Sequence, residues 1–206
     1  MKAILQINSS LNSANGISSQ LANDVVAELR ALHPDAKLVV RDFARDPVPH
    51  LDAQRFGAFI AKPHARTPEQ QAVVRYSDTL IDELRRADTL VLGLPMYNFG
   101  VPSQLKAWFD HIARAGVTFK YTEQGAVGLL AGRNAYVVAA RGGRYSGTPA
   151  DTQTPYVRAF LAFLGITDVE FVYAEGLAIS EASRTEALAA AQGAIRRLGA
   201  QARLAA

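Results

Sequence analysis

Thr89 to Ile112 reads TLVLGLPMYNFGVPSQLKAWFDHI, and this stretch decides the fold. Thr89 to Leu94 is a continuous apolar, β-favouring run, which suits a strand covered on both faces in a parallel sheet. Pro95 stops it. Met96-Tyr97-Asn98-Phe99-Gly100 then sets two aromatics and an amide on a loop. The carboxyl end of a parallel strand is where α/β sheets place ligands. Pro102 opens a helix, where its missing N–H costs nothing. Leu105, Trp108, Phe109 and Ile112 fall at helical spacing and point at a core.

On the N-terminal side the same grammar repeats. Ala3 to Ile7 is a first strand, followed by a small-residue polar loop from Asn8 to Gly16. Ser18 is a candidate N-cap for a helix with Leu21, Val25, Leu29 and Leu32 on one face, ended by Pro34. Lys37 to Asp42 is strand two, and the crossover between these strands should be right-handed. Residues 43 to 67 form a long connection with three prolines and a short helical segment, AQRFGAFIAK, carrying Phe56, Phe59 and Ile60. A connection of that length usually caps something or meets a partner. Thr67-Pro68-Glu69-Gln70 reads as a capping box. Its helix runs to about Arg86, with Val73, Tyr76, Leu80 and Leu84 inside.

On the C-terminal side, Val117 to Leu130 alternates around a Gln-Gly turn and predicts a β-hairpin excursion. Asn134 to Ala140 is strand four, followed by Arg141-Gly142-Gly143 and a helix with Tyr156, Phe160, Phe163 and Leu164. Asp168 to Tyr173 is strand five. Ser180 caps a last, alanine-rich helix with Leu188, Ala191, Ile195 and Leu198 inside. Five strands alternating with helices over residues 1–206 describe one doubly wound α/β domain, with strand order 2-1-3-4-5.

Composition narrows the function classes. The chain has 206 residues, 49% hydrophobic and 20% charged, enough for one full core. No apolar run reaches the length of a membrane span, about 18 residues. MKAILQINSS reads as a strand rather than a signal peptide. Zero cysteines exclude disulfides, thiolate metal sites and cysteine nucleophiles, and are compatible with a reducing cytoplasm. The net charge is +3 and the pI about 9.3, but Lys and Arg are scattered, which argues against a nucleic-acid surface.

The loops after strands one, three and four leave one edge of the sheet, and in this strand order the crevice opens between strands one and three. The first enters a helix N-terminus, whose unpaired N–H groups and dipole favour an anion, or simply an N-cap on a flexible loop. Ser10 and Ser18 add hydroxyls, and Gly16 permits close backbone approach. Neither GxxxxGK[ST] nor GxGxxG is present. Paired glycines after strand four expose successive N–H groups that can hold negative charge, or merely make a tight turn. The aromatics of the middle loop either cover core or present a flat platform. Taken together, the three loops suit a flat phosphorylated ligand such as FMN.

The combination of P-M-Y-N-F, the helix start Pro102-Ser103-Gln104-Leu105-Lys106, Ala115 to Glu123 (AGVTFKYTE), Arg141-Gly142-Gly143 and Phe163 to Val169 (FLGITDV) resembles the FMN-dependent NADH azoreductase/quinone reductase family along the whole chain. The resemblance implies a flavodoxin-like fold and a homodimer with active sites at the interface. It places Ser10, Gly16, Ile17 and Ser18 on the phosphate, and Met96, Tyr97, Asn98 and Phe99 along the isoalloxazine, with a main-chain N–H near Asn98 facing N5. Ala140, Arg141, Gly142 and Gly143 would sit by the N1/O2 edge; Ala140 replaces a serine common in the family, removing one hydroxyl. Gly16-Ile17 replaces a common polar pair, so phosphate contacts there fall to backbone N–H groups. Tyr121 and Phe163 would shape the substrate cavity, and Phe56 and Phe59 would reach a partner's cavity. Further implications are hydride transfer from NADH, or NADPH, to small aromatic acceptors such as quinones and azo compounds, and a cytoplasmic enzyme without membrane or nucleic-acid partners.

None of the four histidines lies in these loops, so no side-chain acid or base is expected to be essential. His111 reads as packed or solvated. A serine hydrolase would need G-x-S-x-G, and a receiver domain would need acidic residues after strand one. The competing class is an electron-carrier flavodoxin. Against it stand the 43–67 connection, the 117–130 excursion and the basic pI. A scaffold or quinone sensor that keeps FMN without turnover is a third class.

Overall fold

The computed structural model describes residues 1–204, with side chains described through residue 200. The elements in order are β1 (Ala3–Asn8), α1 (Ile17–Leu32), β2 (Lys37–Asp42), α2 (Ala53–Ile60), α3 (Pro68–Arg86), β3 (Thr89–Pro95), α4 (Ser103–Ile112), β4 (Phe119–Thr122), β5 (Gly125–Gly128), β6 (Asn134–Ala140), α5 (Gln153–Phe163), β7 (Asp168–Ala174) and α6 (Glu181–Leu204). The main sheet is five-stranded and ordered β2-β1-β3-β6-β7, with every pairing parallel. This is the predicted order once the hairpin strands take their own numbers. β4 and β5 pair only with each other, antiparallel.

Two cores flank the sheet. Leu5, Ile7 and Leu92 face α3, α4 and α5 through Leu80, Leu84, Trp108, Phe109 and Leu161. Ile4, Val91 and Val138 face α1 and α6 through Leu21, Val25, Ala191 and Ile195. The predicted stripe of α4, Leu105, Trp108, Phe109 and Ile112, is wholly buried. Burying one such side chain contributes roughly 1.5–3 kcal/mol, so this helix anchors the loop that precedes it.

Several local expectations shift by a residue or two. Gly16, not Ser18, is the N-cap of α1, and Ser18 lies in its first turn. Pro102 flanks α4 rather than entering it. The hairpin turn is Glu123-Gln124, because Thr122 pairs with Gly125, whose φ is +115°. The buried face of α3 centres on Val74, Ser77, Leu80, Ile81 and Leu84, with Val73 and Tyr76 half-buried. On α5, Val157 and Leu161 are fully buried, while Tyr156 and Phe160 pack at the margin. The capping box holds as read, with Thr67 and Gln70 bonded reciprocally. Ser180 caps α6 through its hydroxyl, which accepts from the Ser183 N–H at 3.1 Å.

Candidate functional site

The register fixes where the loops emerge. Asn8 pairs with Gly93, and Pro95 with Ala140, so the chain leaves β1, β3 and β6 on one edge of the sheet. Each loop brings main-chain donors that have no partner among the described residues.

At the first loop, α1 begins without a side-chain cap and without an acidic residue in its first turn. The N–H groups of Ile17, Ser18 and Ser19 make no hydrogen bond among the described residues. Ser18 and Ser19 are buried, and both hydroxyls lack partners among the described residues. Buried polar groups are normally hydrogen-bonded, and a helix N-terminus favours an anion. Two orphaned hydroxyls at such a terminus therefore fit a phosphate. Gly16 is required by its neighbour, because a Cβ there would fall 2.2 Å from Ser10 Oγ. Ser10 is buried, and its Oγ accepts from the Asn12 N–H at 3.2 Å.

In the middle loop, Tyr97 and Gly100 close a tight turn, with the Gly100 N–H donating to the Tyr97 carbonyl at 3.0 Å. Between them Asn98 and Phe99 have φ of +49° and +63°, the sign pattern of a type I′ turn. Asn tolerates this region; a bulky aromatic rarely adopts it. The N–H groups of Asn98 and Phe99 are unpaired among the described residues. Surrounding contacts hold the turn. Met96 N–H donates to the Ala140 carbonyl at 3.1 Å, and Tyr97 Oη accepts from the Leu11 N–H at 3.2 Å, which ties this loop to the other two. Gln153 Nε2 donates to the carbonyls of Pro95 at 2.9 Å and Gly100 at 2.8 Å. The Thr152 hydroxyl donates to the Phe99 carbonyl.

At the third loop, the carbonyls of Gly142 and Gly143 accept from Ala178 and Gly176, while their own N–H groups are unpaired among the described residues. Tyr145 folds back over them. A Cβ on Gly143 would lie 2.6 Å from its hydroxyl, and its ring meets Phe99 edge-on at 5.6 Å. The Arg141 side chain turns away from this edge and is fully buried. It bridges Asp151 and Glu175, each at 2.9 Å, and also donates to Gln153 and Thr154. Burial pushes the Asp151 carboxyl up, but the Arg141 and Thr154 hydrogen bonds outweigh it and hold the group below its ordinary value. The Arg141 backbone is engaged as well, its N–H donating to the Ala174 carbonyl at 2.9 Å and its carbonyl accepting from the Leu177 N–H at 3.2 Å, so the unpaired donors of this loop are those of Gly142 and Gly143. Ala140, the last residue of β6, contributes its carbonyl to Met96.

The aromatic candidates gather elsewhere. Phe56 and Phe59 on α2, with Ile60, Ala113, Arg114, Ala115, Phe119 and Tyr121, line a cavity of about 300 Å³. Phe163 joins through Phe119, 4.3 Å away, and Tyr121 meets the other edge of Phe119 at 5.4 Å. No residue of the three loops lines this cavity. His111 is packed: its ring lies edge-on between Phe59 and Tyr76, and Nδ1 donates to the Ala107 carbonyl. Among the described residues, no His/Cys/Asp/Glu group suits a metal ion, and no helix is long and apolar enough to cross a membrane.

Sequence reading missed Gln153, Thr152 and Tyr145. Gln153 and Thr152 open α5 and look like ordinary helix-start residues. Only the tertiary fold carries them to the middle loop.

Fold and edge together define a flavodoxin-like protein with unpaired main-chain donors gathered at one edge of its sheet. A family model described as a flavodoxin-like fold matches residues 2–198. An FMN-dependent NADH:quinone oxidoreductase 6 of Burkholderia lata is 54% identical over 195 residues, 95% of this chain and 98% of its own. The FMN-dependent NADH:quinone oxidoreductase of Cellvibrio japonicus is 58% identical over 177 residues, 86% of this chain and 89% of its own. Among solved structures, an FMN-dependent NADH-azoreductase of Bacillus anthracis in complex with FMN superposes with a TM-score of 0.88 at 29% identity, over 98% of this chain and 99% of its own. The chain belongs to the family of FMN-dependent NADH:quinone oxidoreductases.

Proposed function

We propose that the chain is an FMN-dependent NADH:quinone oxidoreductase that also cleaves aromatic azo compounds reductively, working as a homodimer in the cytoplasm. One observation carries the reading: unpaired main-chain donors from all three loops, Ile17 to Ser19, Asn98-Phe99 and Gly142-Gly143, meet at one sheet edge. FMN bound there supplies the hydride chemistry. The chain's residues bind and orient. The α1 N-terminus, with the Ser10, Ser18 and Ser19 hydroxyls, holds the phosphate. Met96 to Phe99 form the platform for the ring. Gly142 and Gly143 present preorganised donors to negative charge at its pyrimidine edge. Solvent supplies protons, in keeping with the lack of histidine in the loops.

The remote aromatic cavity supports the dimer. Phe56, Ile60 and Tyr121 are exposed apolar residues around a cavity that no flavin loop reaches, as expected for walls completed between two copies. Nicotinamide and acceptor would occupy the site in turn, a ping-pong scheme. A quinone takes one such cycle; an azo bond takes two and yields two amines. Steady-state assays with NADH and NADPH against quinones and azo dyes test this. Parallel double-reciprocal lines, with turnover of both acceptor classes, are expected. Intersecting lines would overturn the ping-pong scheme, and inert azo dyes would overturn azo cleavage.

A further inference from the structure

Gln153 is the first residue of α5, yet it is fully buried. Burying a carboxamide costs free energy unless each of its polar atoms is bonded. Here every one is engaged. Nε2 donates to the carbonyls of Pro95 and Gly100, at 2.9 and 2.8 Å, which bracket the strained turn. Oε1 accepts from Arg141 Nε at 3.3 Å. The two carbonyls fix which end of the amide is nitrogen. Arg141 is held in turn by Asp151 and Glu175. One side chain thus clamps both ends of the middle loop and ties them to the residue that opens the third.

The turn needs such a clamp. Asn98 and Phe99 both sit at positive φ, which for non-glycine residues persists only when the surroundings over-determine it. The clamp holds both ends, the Thr152 hydroxyl holds the Phe99 carbonyl, and the Asn98 and Phe99 N–H groups are unpaired among the described residues.

We propose that Gln153 is a positioning residue for the flavin site: by clamping the Pro95 and Gly100 carbonyls against Arg141, it fixes the direction of the Asn98 N–H relative to the Gly142-Gly143 donors. The inference rests on the FMN reading above. Gln153→Glu tests it, since it keeps shape and acceptor but sets a carboxylate against two carbonyl oxygens. Gln153→Met removes the donors without adding charge. Thr152→Val, at an exposed position, removes only the hold on Phe99 and preserves the fold. Val157→Ala, one turn along α5 and buried in the core, controls for general destabilisation.

FMN affinity, read by quenching of flavin fluorescence, should fall about tenfold or more in both Gln153 variants. It should fall less in Thr152→Val and stay within about twofold in Val157→Ala. The midpoint potential of bound FMN should shift in the Gln153 variants and hold in Val157→Ala. In FMN-free protein, the amide NMR signals of Asn98, Phe99 and Gly100 should move in the Gln153 and Thr152 variants. Wild-type FMN affinity and potential in Gln153→Glu, or losses no larger than those of Val157→Ala, overturn the proposal alone. If the Gln153 variants do not fold, the Gln153 side-chain amide signals of wild-type FMN-free protein decide: slow solvent exchange of both Nε2 protons supports the clamp, and fast exchange overturns it. Wild-type protein that takes up no FMN overturns the underlying reading and the proposal together.

Discussion

Phe99 is an aromatic residue held at φ +63°, next to Asn98 at +49°. Left-handed backbone costs a side chain roughly 1–2 kcal/mol, and the turn leaves two N–H groups unpaired among the described residues. The position of Met96 to Phe99 on a loop at the carboxyl end of β3 was legible in the sequence. The sign of φ was not, because Asn-Phe carries none of the Asn-Gly signature of such a turn. That sign changes the test of the main-chain donor. Proline at 98 would remove the N–H but also force φ to about −65°, confounding the two effects. Asn98→Gly keeps both donor and conformation, so FMN affinity should stay within about threefold of wild type. Asn98→Val keeps the donor but resists positive φ, and affinity should drop about tenfold. Flavin-fluorescence titration reads both. A Gly variant as impaired as the Val variant would show that the Asn98 side chain, not the backbone, makes the contact.

At the element scale, the sheet and its helices were readable because their signals are local: apolar runs for buried strands, helical spacing for α4, the Thr67 capping box for α3. What escaped is non-local. The helix carrying Gln153 announces its inner face through Val157 and Leu161, but nothing nearby in sequence says that its first residue meets a loop some fifty residues earlier. Arg141 shows the same limit: its place in Arg-Gly-Gly says nothing of its guanidinium, which lies buried between Asp151 and Glu175. His111 shows how packing sets protonation. Burial depresses its pKa below the ordinary 6.5, Arg55 adds to the effect, and the Ala107 carbonyl and Asp110 oppose it. Nδ1 donates to Ala107, so Nε2 is a buried acceptor without a partner among the described residues. The neutral ring is therefore the folded form. Its contribution to stability is complete above the unfolded value of about 6.5 and is lost as pH falls through the depressed folded value. Thermal melts of wild type and His111→Leu should show the variant gaining relative to wild type as pH drops from 7.5 to 5.5. A pH-independent gap between them would mean that His111 does not titrate in this way.

For the whole molecule, the exposed ring of apolar residues on α2 and the hairpin is the feature a single chain leaves unexplained. Phe56, Ile60 and Tyr121 are 52%, 69% and 75% exposed, a grouping that marks an interaction surface more than a solvated one. Ile60→Asp should yield monomers in sedimentation velocity and reduce quinone turnover, while the described core, which Ile60 does not enter, stays folded by circular dichroism. A dimeric Ile60→Asp would move the interface elsewhere. The central claim is that this chain, alone, takes reducing equivalents from NADH and delivers them to a small acceptor. An electron-carrier flavodoxin shares the fold but needs a separate reductase. The direct measurement is anaerobic: FMN-loaded protein is mixed with NADH, the flavin absorbance is followed, and a quinone is added once NADH is exhausted. The account predicts bleaching by NADH without added reductase, then recovery of the oxidised spectrum on quinone addition. Protein that binds FMN but keeps its oxidised spectrum in NADH would contradict it.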